Sequence, residues 1–576
     1  MQKQIIQRTP INDQHIDNNI HPIIKQIYAQ RGVKHNQELS LKVSQLADVN
    51  ALEGITLASK LLHDAIVDNQ QIFIIGDFDA DGATSTALMM EGLSLFGYQH
   101  HQFLVPNRFE YGYGLSPEIV EIAHQQGAQT LVTVDSGISC HAGVEKAKSL
   151  GLTVIITDHH LPGNRLPKAD AIVNPNLANC QFPSKALAGV GVAFYLMLAL
   201  RKTLREQDYF TNNGITEPNI AQLLDLVALG TVADVVPLDA NNRILVQQGL
   251  NRIRAGYTRP GIQALIEIAK RDQSQLVASD FGFAIGPRIN AAGRLDDMSF
   301  GINCLLANDI SSARMMATEL DGLNKSRREI EQGMQVEAEA IMSRLKFDQD
   351  NLPFAIALFQ EDWHQGVIGI VAGRIKEKFH RPTIVFAPAS DDNTQEIKGS
   401  ARSIEGLHIR DLLEHISSNH EGLILKFGGH AMAAGLSIKT ERFDEFQQRF
   451  DHYAQQWIKA EDLQGKLFSD GQLAITDFSL EFAQLIRDSG PWGQHFPEPL
   501  FDDEFILVQQ RIVGEKHLKL VVQKDDVAFD AIAFNVDIKA WPNHQAQRAH
   551  IAFKLDINEF RGRKNLQLMV ENITAL

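Results

Sequence analysis

The chain has 576 residues and a net charge of −16, and its 44% hydrophobic and 22% charged residues are ordinary for a globular protein. Its three cysteines show no CxxC spacing, and residues 1–10 lack the apolar core of a signal peptide, so we expect a cytoplasmic protein without disulfides or a membrane segment. The acidic total argues only weakly against nucleic acid as a ligand, because a basic groove can be local.

The predicted elements divide the chain into five parts. In chain order these are a polar N-terminal extension (1–45), a region of alternating strands and helices (46–305), a long helical connector (306–346), a second α/β region (347–460) and a set of short strands (461–576). Alternating strands and helices predict βαβ units in a parallel sheet.

Three predicted strands of the first α/β region end in acidic or histidine residues. The strands at 72–76, 131–134 and 152–157 run, respectively, into Asp77, Asp79 and Asp81, into Asp135, and into Asp158, His159 and His160. Neighbouring parallel strands lie about 4.8 Å apart and end at one edge of the sheet, so these side chains can converge. The sequence therefore favours a divalent-metal site over a set of separate helix caps, which is the alternative for each aspartate.

Asp234 is a further candidate. It follows an apolar helix predicted at 223–229, where a lone aspartate is usually a cap or turn residue. The pattern alone leaves its role open.

The motifs resemble those of a known superfamily. Asp77–Gly82, Val134–Gly137 and Asp158–His160 resemble, in order and spacing, the motifs of the DHH phosphoesterases, and Asp234 matches the later metal-binding aspartate of that superfamily. The segments 286–294 and 428–435 resemble signatures of its RecJ branch. The resemblance covers most of the chain from about residue 50 and implies a single-strand-specific DNA exonuclease that starts at the 5′ end.

The resemblance also implies a two-ion site. Mn²⁺ is the preferred cation and Mg²⁺ the alternative, because carboxylates and one imidazole suit both. The core ligands are expected to be Asp79, Asp81, Asp135, His159 and Asp234, with Asp135 bridging.

Three further residues have supporting roles in this interpretation. Asp77 is a ligand or an orienting group, because Ile75 stands where other branches place a histidine. Asp158 is expected to orient His159, and His160 to hold the scissile phosphate or to donate a proton.

A second set of residues is expected to bind DNA or its 5′-phosphate. Without the resemblance, these groups could equally form a structured loop, strand polarity and a tight turn. Guanidinium groups, hydroxyl groups and open backbone amides suit a terminal phosphate. The set comprises Arg108, Arg288, Asn290, Arg374, Ser400, Arg402, Gly428, Gly429 and His430.

The C-terminal strands predict a small barrel. Five strand-like runs with long connections fit an OB-fold, which binds single strands through a basic groove and stacked aromatics. A purely structural barrel is the alternative. The candidate cations are Arg511, Lys516, Lys519, Arg561, Arg563 and Lys564.

The sequence thus predicts an α/β protein in which a parallel-sheet DHH domain is joined by a long helix to a DHHA1-type α/β domain, with a C-terminal OB-fold barrel. The expected reaction is metal-dependent 5′ to 3′ degradation of single-stranded DNA to 5′-mononucleotides, in recombination, repair and mismatch repair. We expect a monomer that works with a single-strand-binding protein and a helicase. The rivals are a phosphodiesterase or pyrophosphatase for small molecules, and an inactive DNA-binding scaffold.

Overall fold

The computed structural model describes residues 3–106, 114–344, 352–390, 393–538, 540–560 and 562–576. They divide into two compact units. The first unit comprises Ile11–Lys325 and Arg487–Glu498, and the second comprises Met1–Pro10, Ser326–Ile486 and Pro499–Leu576. Within the described ranges, no helix is both long enough and apolar enough to cross a membrane.

The strands are numbered in chain order. They are β1 (Gln4–Gln7), β2 (Ile72–Ile75), β3 (His101–Leu104), β4 (Thr130–Val134), β5 (Thr153–Thr157), β6 (Ala171–Val173), β7 (Ile356–Phe359), β8 (Thr383–Ser390), β9 (Asn393–Arg402), β10 (Lys426–Gly429), β11 (Ala433–Lys439), β12 (Lys466–Ser469), β13 (Phe501–Val513), β14 (His517–Lys524), β15 (Val527–Ala533), β16 (Arg548–Phe560) and β17 (Arg563–Ala575).

The α-helices are numbered in the same way. They are α1 (Pro22–Gln30), α2 (Ile55–Val67), α3 (Ala80–Leu95), α4 (Pro117–Gln125), α5 (His141–Ser149), α6 (Gly189–Glu206), α7 (Tyr209–Asn212), α8 (Leu224–Ala233), α9 (Ala240–Arg254), α10 (Pro260–Ile268), α11 (Ala278–Asp280), α12 (Gly286–Leu295), α13 (Met298–Leu305), α14 (Ile310–Arg344), α15 (Ile368–Phe379), α16 (Ile409–Asn419), α17 (Phe443–Trp457) and α18 (Leu480–Asp488).

The first unit is built on a parallel five-stranded sheet with strand order β3-β2-β4-β5-β6. All four residues of β2 are fully buried because both faces of the sheet are covered. Ile72 and Ile74 join one hydrophobic core, and Phe73 and Ile75 join the other. The apolar run at the start of the first motif therefore forms a central strand, as predicted from its composition.

The three strands whose ends carry the predicted ligands are immediate neighbours. β4 pairs with β2 on one side and with β5 on the other, all in parallel. Their carboxyl ends consequently lie side by side at one edge of the sheet. This confirms the predicted parallel sheet and the shared edge on which the metal-site interpretation depends.

The second unit contains a mixed sheet, with strand order β10-β11-β9-β8-β7. β7 and β8 are parallel, and the other neighbours are antiparallel. Helices α16 and α17 contribute apolar residues to the core of this sheet. α15 begins at Ile368 and ends at Phe379.

The C-terminal strands form a closed barrel with the order β13-β14-β15-β17-β16. The barrel contains five strands, the number predicted from the sequence. The barrel confirms the expected OB-fold topology.

One element of the second unit has no signal in the sequence pattern. β1, in the predicted N-terminal extension, pairs in parallel with β12. The side-chain amide of Gln7 donates to the carboxylate of Asp502, at 3.1 and 3.2 Å, and Asp502 is only 2% exposed. The first residues of the chain are therefore tied to residues far along the sequence.

Candidate metal centre

The first motif places three aspartates around the turn from β2 into α3. Asp77 and Asp81 are almost fully buried, at 3% and 1% exposure. Oδ1 of Asp79 accepts hydrogen bonds from the backbone amides of Asp81 and Gly82, both at 3.0 Å, so Asp79 caps the helix. The capping role considered from the sequence is thus real for Asp79, and it leaves the other carboxylate oxygen of Asp79 available to a cation.

Asp81 is held by the N-terminus of α6. Its two carboxylate oxygens accept hydrogen bonds from the amides of Gly189 at 2.6 Å and Val190 at 3.0 Å. A helix N-terminus favours a negative charge. Burial and the nearby charge of Asp79 outweigh this effect and raise the pKa of Asp81 to about 7.

Asp135 follows β4 with a left-handed backbone, at a φ angle of 56°, a conformation that aspartate adopts more readily than most residues. It is 2% exposed. Burial and repulsion from Asp81, Asp79, Asp234 and Asp77 raise its pKa well above the usual range. A carboxylate in these surroundings needs a proton or a cation.

Two glycines let helices approach these carboxylates. A Cβ atom on Gly189 would lie 2.6 Å from Oδ1 of Asp135, and one on Gly230 would lie 2.9 Å from Oδ1 of Asp81. Neither residue was singled out from the sequence. The available signal was a glycine at the start of one apolar helix and another near the end of a second.

His159 and Asp234 complete the cluster. Nε2 of His159 lies 3.1 Å from Oδ1 of Asp135 and 3.5 Å from Oδ2 of Asp234. Burial, followed by the charge of His160, lowers the pKa of His159 to about 4, so the ring is neutral near pH 7. A hydrogen bond to the backbone of Leu187 engages the ring and leaves Nε2 facing the carboxylates.

The donor atoms of His159 and Asp234 have surroundings that fit a metal ion. Nε2 of His159 and Oδ2 of Asp234 are buried, and in the described part of the chain neither has a hydrogen-bond partner. An acceptor nitrogen that faces carboxylate oxygens at such distances is the arrangement that a shared cation stabilises. The donor set of oxygens and imidazole nitrogen suits a divalent cation.

The donor atoms fall into three overlapping sets, within each of which they lie no more than 4.8 Å apart. Asp135 and His159 each belong to two of these sets. The sets are Asp77 with Asp79 and Asp135, Asp81 with His159 and Asp234, and Asp135 with His159 and His160. The structure thus brings together all six residues that were predicted as metal ligands.

The expected partner of Asp158 was wrong. Oδ1 of Asp158 lies 2.8 Å from Nδ1 of His160, and Oδ2 accepts from the amide of Ile138 at 2.9 Å. The carboxylate therefore orients the ring of His160, whereas His159 is engaged through Leu187. Burial alone would lower the pKa of His160, but the hydrogen bond and charge of Asp158 raise it.

Two predicted DNA-binding residues of the first unit have protein partners in the structure. Nε of Arg288 donates to Asp321 at 2.9 Å, and Oδ1 of Asn290 accepts from the amide of Ala80 at 2.8 Å. Asn290 therefore ties α12 to the turn of the first motif. Arg108 lies outside the described residues.

The second unit gathers several of the other predicted phosphate ligands. Nη1 of Arg402 donates to the hydroxyl of Ser400 at 3.1 Å, and a Cβ atom on Gly369 would lie 2.9 Å from both side chains. Both groups thus lie against the first turn of α15. Burial lowers the pKa of Arg402, and no described carboxylate forms an ion pair with it. A buried guanidinium and a hydroxyl beside the first turn of a helix are groups of the kind that suit an anion.

The strand register places two glycines in one row with Ser400. Gly428 pairs with Gly435, and Gly435 pairs with Ser400, so the three lie in one row across the sheet. A Cβ atom on Gly428 would meet no atom within 4 Å, and one on Gly435, next to Ser400, would meet only the carbonyl of Gly399 at 4.0 Å, so this part of the row is open. The amide of His430 instead donates to the carbonyl of Ala433 and closes the turn after Gly429.

Arg374 is only loosely connected with this surface. It lies on α15, is 53% exposed, and its Nε donates to Glu331 at 3.0 Å. Its ion pair is with α14 rather than with the row that contains Ser400.

The outer face of the barrel carries part of the expected charge. Arg511 pairs in register with Lys519, and Lys519 with Ile532. Lys519 is 3.3 Å from Asp530, which offsets part of this charge. Arg561 lies outside the described residues.

Comparisons with known proteins agree with this architecture. Family models match residues 71–231 (DHH family, N-terminal domain), 351–456 (DHHA1 domain) and 469–572 (RecJ OB domain). The chain is 57% identical over 573 residues, 99% of each protein, to the single-stranded-DNA-specific exonuclease RecJ of Dickeya dadantii.

Two crystal structures of RecJ from Thermus thermophilus resemble the fold. The complex with Mn²⁺ has a TM-score of 0.80 and 28% identity, and the match covers 100% of this chain and 79% of that one. The complex with Mg²⁺ has a TM-score of 0.74 and 26% identity, over 99% of this chain and 78% of that one.

Proposed function

The chain belongs to the RecJ family of single-stranded-DNA-specific exonucleases, and from this premise we propose that it degrades single-stranded DNA from the 5′ end to 5′-mononucleotides. The observation that carries the proposal is the meeting of His159, Asp135 and Asp234, with donor atoms 3.1 and 3.5 Å apart at the carboxyl edge of the sheet. Such an edge is where open α/β sheets bind their ligands.

We propose two divalent cations in this centre, Mn²⁺ by preference and Mg²⁺ as the alternative. Asp77 and Asp79 would contribute ligands to one ion and Asp81, His159 and Asp234 to the other, and Asp135 is the residue expected to serve both. Asp135 lies in one donor set with Asp77 and Asp79 and in another with His159, which itself belongs to the set of Asp81 and Asp234, and this supports that role. When bound, two such ions activate water for in-line attack and offset the charge on the phosphoryl oxygens.

The residues around the cations have separate tasks. Asp158 fixes the ring of His160 through Nδ1, so the opposite nitrogen is the one that can contact a phosphate oxygen or donate a proton. Asp79 holds the start of α3, and Asn290 holds the adjacent amide of Ala80. These contacts fix the positions of the carboxylates before the substrate arrives.

The 5′ end is proposed to bind in the second unit. Arg402 and Ser400 face the first turn of α15 and supply a guanidinium, a hydroxyl and open amides to a terminal phosphate. Gly428 and Gly429 have no side chains that would cover the neighbouring surface. His430 and Arg374 are secondary candidates for contacts with the phosphate. For Arg288 and Asn290 we propose a supporting role instead, because the structure gives each a protein partner.

The barrel is proposed to hold the strand through its outer face. Arg511 and Lys519 supply phosphate contacts there, and binding should weaken as salt concentration rises.

We further propose that the chain acts as a monomer in the cytoplasm, in recombination and in mismatch repair, with a single-strand-binding protein and a helicase. The five-part division with boundaries near 45, 305, 346 and 460 is likewise a proposal.

The decisive experiment uses single-stranded DNA labelled at one end, with Mn²⁺ in the reaction. A block on the 5′ end should stop degradation, whereas the same block on the 3′ end should leave the initial rate unchanged. Equal sensitivity to both blocks would refute the polarity. Faster turnover of dinucleotides or pyrophosphate than of the polymer would favour a small-molecule hydrolase, and no hydrolysis of any of them would favour a scaffold.

A further inference from the structure

Three exposed apolar side chains lie on segments that carry or adjoin residues of the metal centre. Leu161 and Val235 are each 62% exposed, and Phe283 is 80% exposed. Leu161 directly follows His160, and Val235 directly follows Asp234, so each lies one Cα–Cα step of about 3.8 Å along the chain from a residue of the centre. We call these three side chains the apolar rim.

The backbone of Val235 is strained. Its φ angle is 62°, in the left-handed region, at the residue after Asp234, the C-cap of α8. Glycine or asparagine is usual at the left-handed end of a helix, because a β-branched side chain is strained there. Backbone strain of this kind is concentrated at functional sites. An exposed, strained valine beside Asp234 therefore indicates a use for its side chain that packing does not supply.

Phe283 is directed outward by a π-helical turn, Phe281–Ile285. Phe281 and Ile285 are fully buried, whereas Phe283 between them is exposed. Single π-helical turns are rare and occur mostly at functional sites. The turn thus presents one aromatic ring to solvent while its neighbours anchor it in the core.

The π-helical turn packs on the helix end that carries Asp234. A Cβ atom on Gly282 would lie 3.7 Å from Cγ1 of Val232, and one on Gly286 would lie 3.1 Å from Cβ of Ala233. Phe283 is three residues from Gly286, about 4.5 Å along a helix axis. Gly282 and Gly286, on either side of Phe283 in the chain, thus lie close to the last turn of α8, which leads into Asp234.

We propose that the apolar rim is a nucleobase-binding surface, on which Phe283 stacks against a base next to the scissile phosphate. The proposal rests on the proposed exonuclease function and specifies how that site positions its substrate. The aspartates of the centre would hold cations, which in turn attract phosphate, and they present no apolar surface to the face of a base. Aromatic and apolar side chains take the faces of bases without regard to sequence. Those faces are covered in a duplex and open in a single strand.

The test combines Phe283→Ala with strands that lack one base. Oligothymidylates carrying one abasic residue at the first, second or third position from the 5′ end are compared with the intact strand. At one position, loss of the base should raise the KM of the wild-type enzyme about ten- to a hundredfold, the range for one base–aromatic stack. Phe283→Ala should show the same rise on the intact strand and no further rise with the abasic strand.

A second readout does not require turnover. The fluorescence of 2-aminopurine placed at the sensitive position should be quenched when the wild-type protein binds the strand with Ca²⁺ in place of Mn²⁺. Phe283→Ala should abolish the quenching, and Phe283→Trp should restore it. Val235→Gly should weaken binding without lowering the melting temperature, because glycine accepts the left-handed backbone.

Tyr257→Ala is the matched control. Tyr257 is another aromatic residue of the first unit, 68% exposed, and it should be replaceable without effect on KM or quenching. The proposal is overturned if Phe283→Ala behaves like Tyr257→Ala, or if it slows intact and abasic strands equally at all three positions. Failure of the exonuclease function itself would appear separately, as absence of wild-type turnover of the intact strand.

Discussion

Nε2 of His159 lies 3.1 Å from Oδ1 of Asp135, and the hydrogen bond of its ring runs instead to the backbone of Leu187. The backbone of Leu187 thus fixes the imidazole, and its other nitrogen, an acceptor, is directed at carboxylates. Without a cation this contact is unfavourable, so the centre should respond strongly to metal ions, protons and changes of charge.

Asp234→Asn should remove metal-dependent nuclease activity while preserving the fold. The side chain is 22% exposed, and Oδ2 has no hydrogen-bond partner in the described ranges, so the substitution breaks no hydrogen bond of that atom. We expect a loss of more than about a hundredfold in kcat, because even residues behind metal ligands cost about 10–100-fold when changed. A melting temperature equal to that of the wild type in EDTA is the control. Retained activity would remove Asp234 from the ligand set.

Asp81→Ala should lose both activity and stability. The amides of Gly189 and Val190 would lose their acceptor, at a cost of about 1–3 kcal/mol for each buried group. The comparison is best made at pH 6 in EDTA, below the pKa of about 7, where Asp81 is largely neutral and relief of repulsion is small. Chemical denaturation measures the difference. A variant as stable as the wild type would mean that these hydrogen bonds contribute little.

The stabilisation by Mn²⁺ should grow with pH. Burial raises the pKa of Asp81 to about 7, and the pKa of Asp135 is also raised, whereas both are near 4 in the unfolded chain. In the metal-free protein, the stability from these groups is present below about pH 4 and is lost as the pH rises through about 7. Cations bind the deprotonated form.

The shift in melting temperature between Mn²⁺ and EDTA should therefore be small at pH 5.5 and large at pH 8. Asp135→Asn is the control for charge, because it removes a carboxylate that repels its neighbours. It should raise the melting temperature in EDTA at pH 8 and reduce the Mn²⁺ shift. A Mn²⁺ shift that does not change between these pH values would contradict the interpretation.

Arg402→Gln should reduce the preference for a 5′-phosphate. Its guanidinium is buried near Ser400 and has no carboxylate in an ion pair with it among the residues described, so an anionic ligand is the expected counter-ion. We expect kcat/KM to fall about 10–100-fold on 5′-phosphorylated strands, the worth of a charge-assisted contact, and much less on 5′-hydroxyl strands. The exposed Arg410, changed to Gln, is the control. Equal losses on both strands would place Arg402 outside the end-binding site.

The N-terminal strand should contribute to the stability of the second unit. Gln7→Ala removes the donor to the buried carboxylate of Asp502, which also contacts His550 at 2.8 Å. The expected cost is about 1–3 kcal/mol, measured by chemical denaturation, with faster hydrogen exchange in β12. Gln4→Ala, at an exposed position of the same strand, should have little effect. Equal effects of the two variants would show that backbone pairing alone holds β1.

The local pattern of the sequence determined the parallel sheet, the strand ends that carry the carboxylates and the five barrel strands. Short apolar runs that alternate with helical segments favour buried strands of a parallel sheet, and neighbouring parallel strands share an edge, so Asp79, Asp135 and His159 could be brought together without coordinates. The resemblance of the motifs added Asp234, whose position after a helix gives no signal of its own.

Contacts between distant segments were decided only by the tertiary structure. The carboxylate of Asp158 holds the ring of His160 rather than the ring of His159, because the turn after β5 brings Nδ1 of His160 within 2.8 Å of Oδ1, while the backbone of Leu187 is the hydrogen-bond partner of the His159 ring. Arg288 pairs with Asp321, and β1 pairs with β12, for the same reason. Side-chain partners depend on which helix or strand packs nearby, and periodicity fixes the faces of an element but not its neighbours.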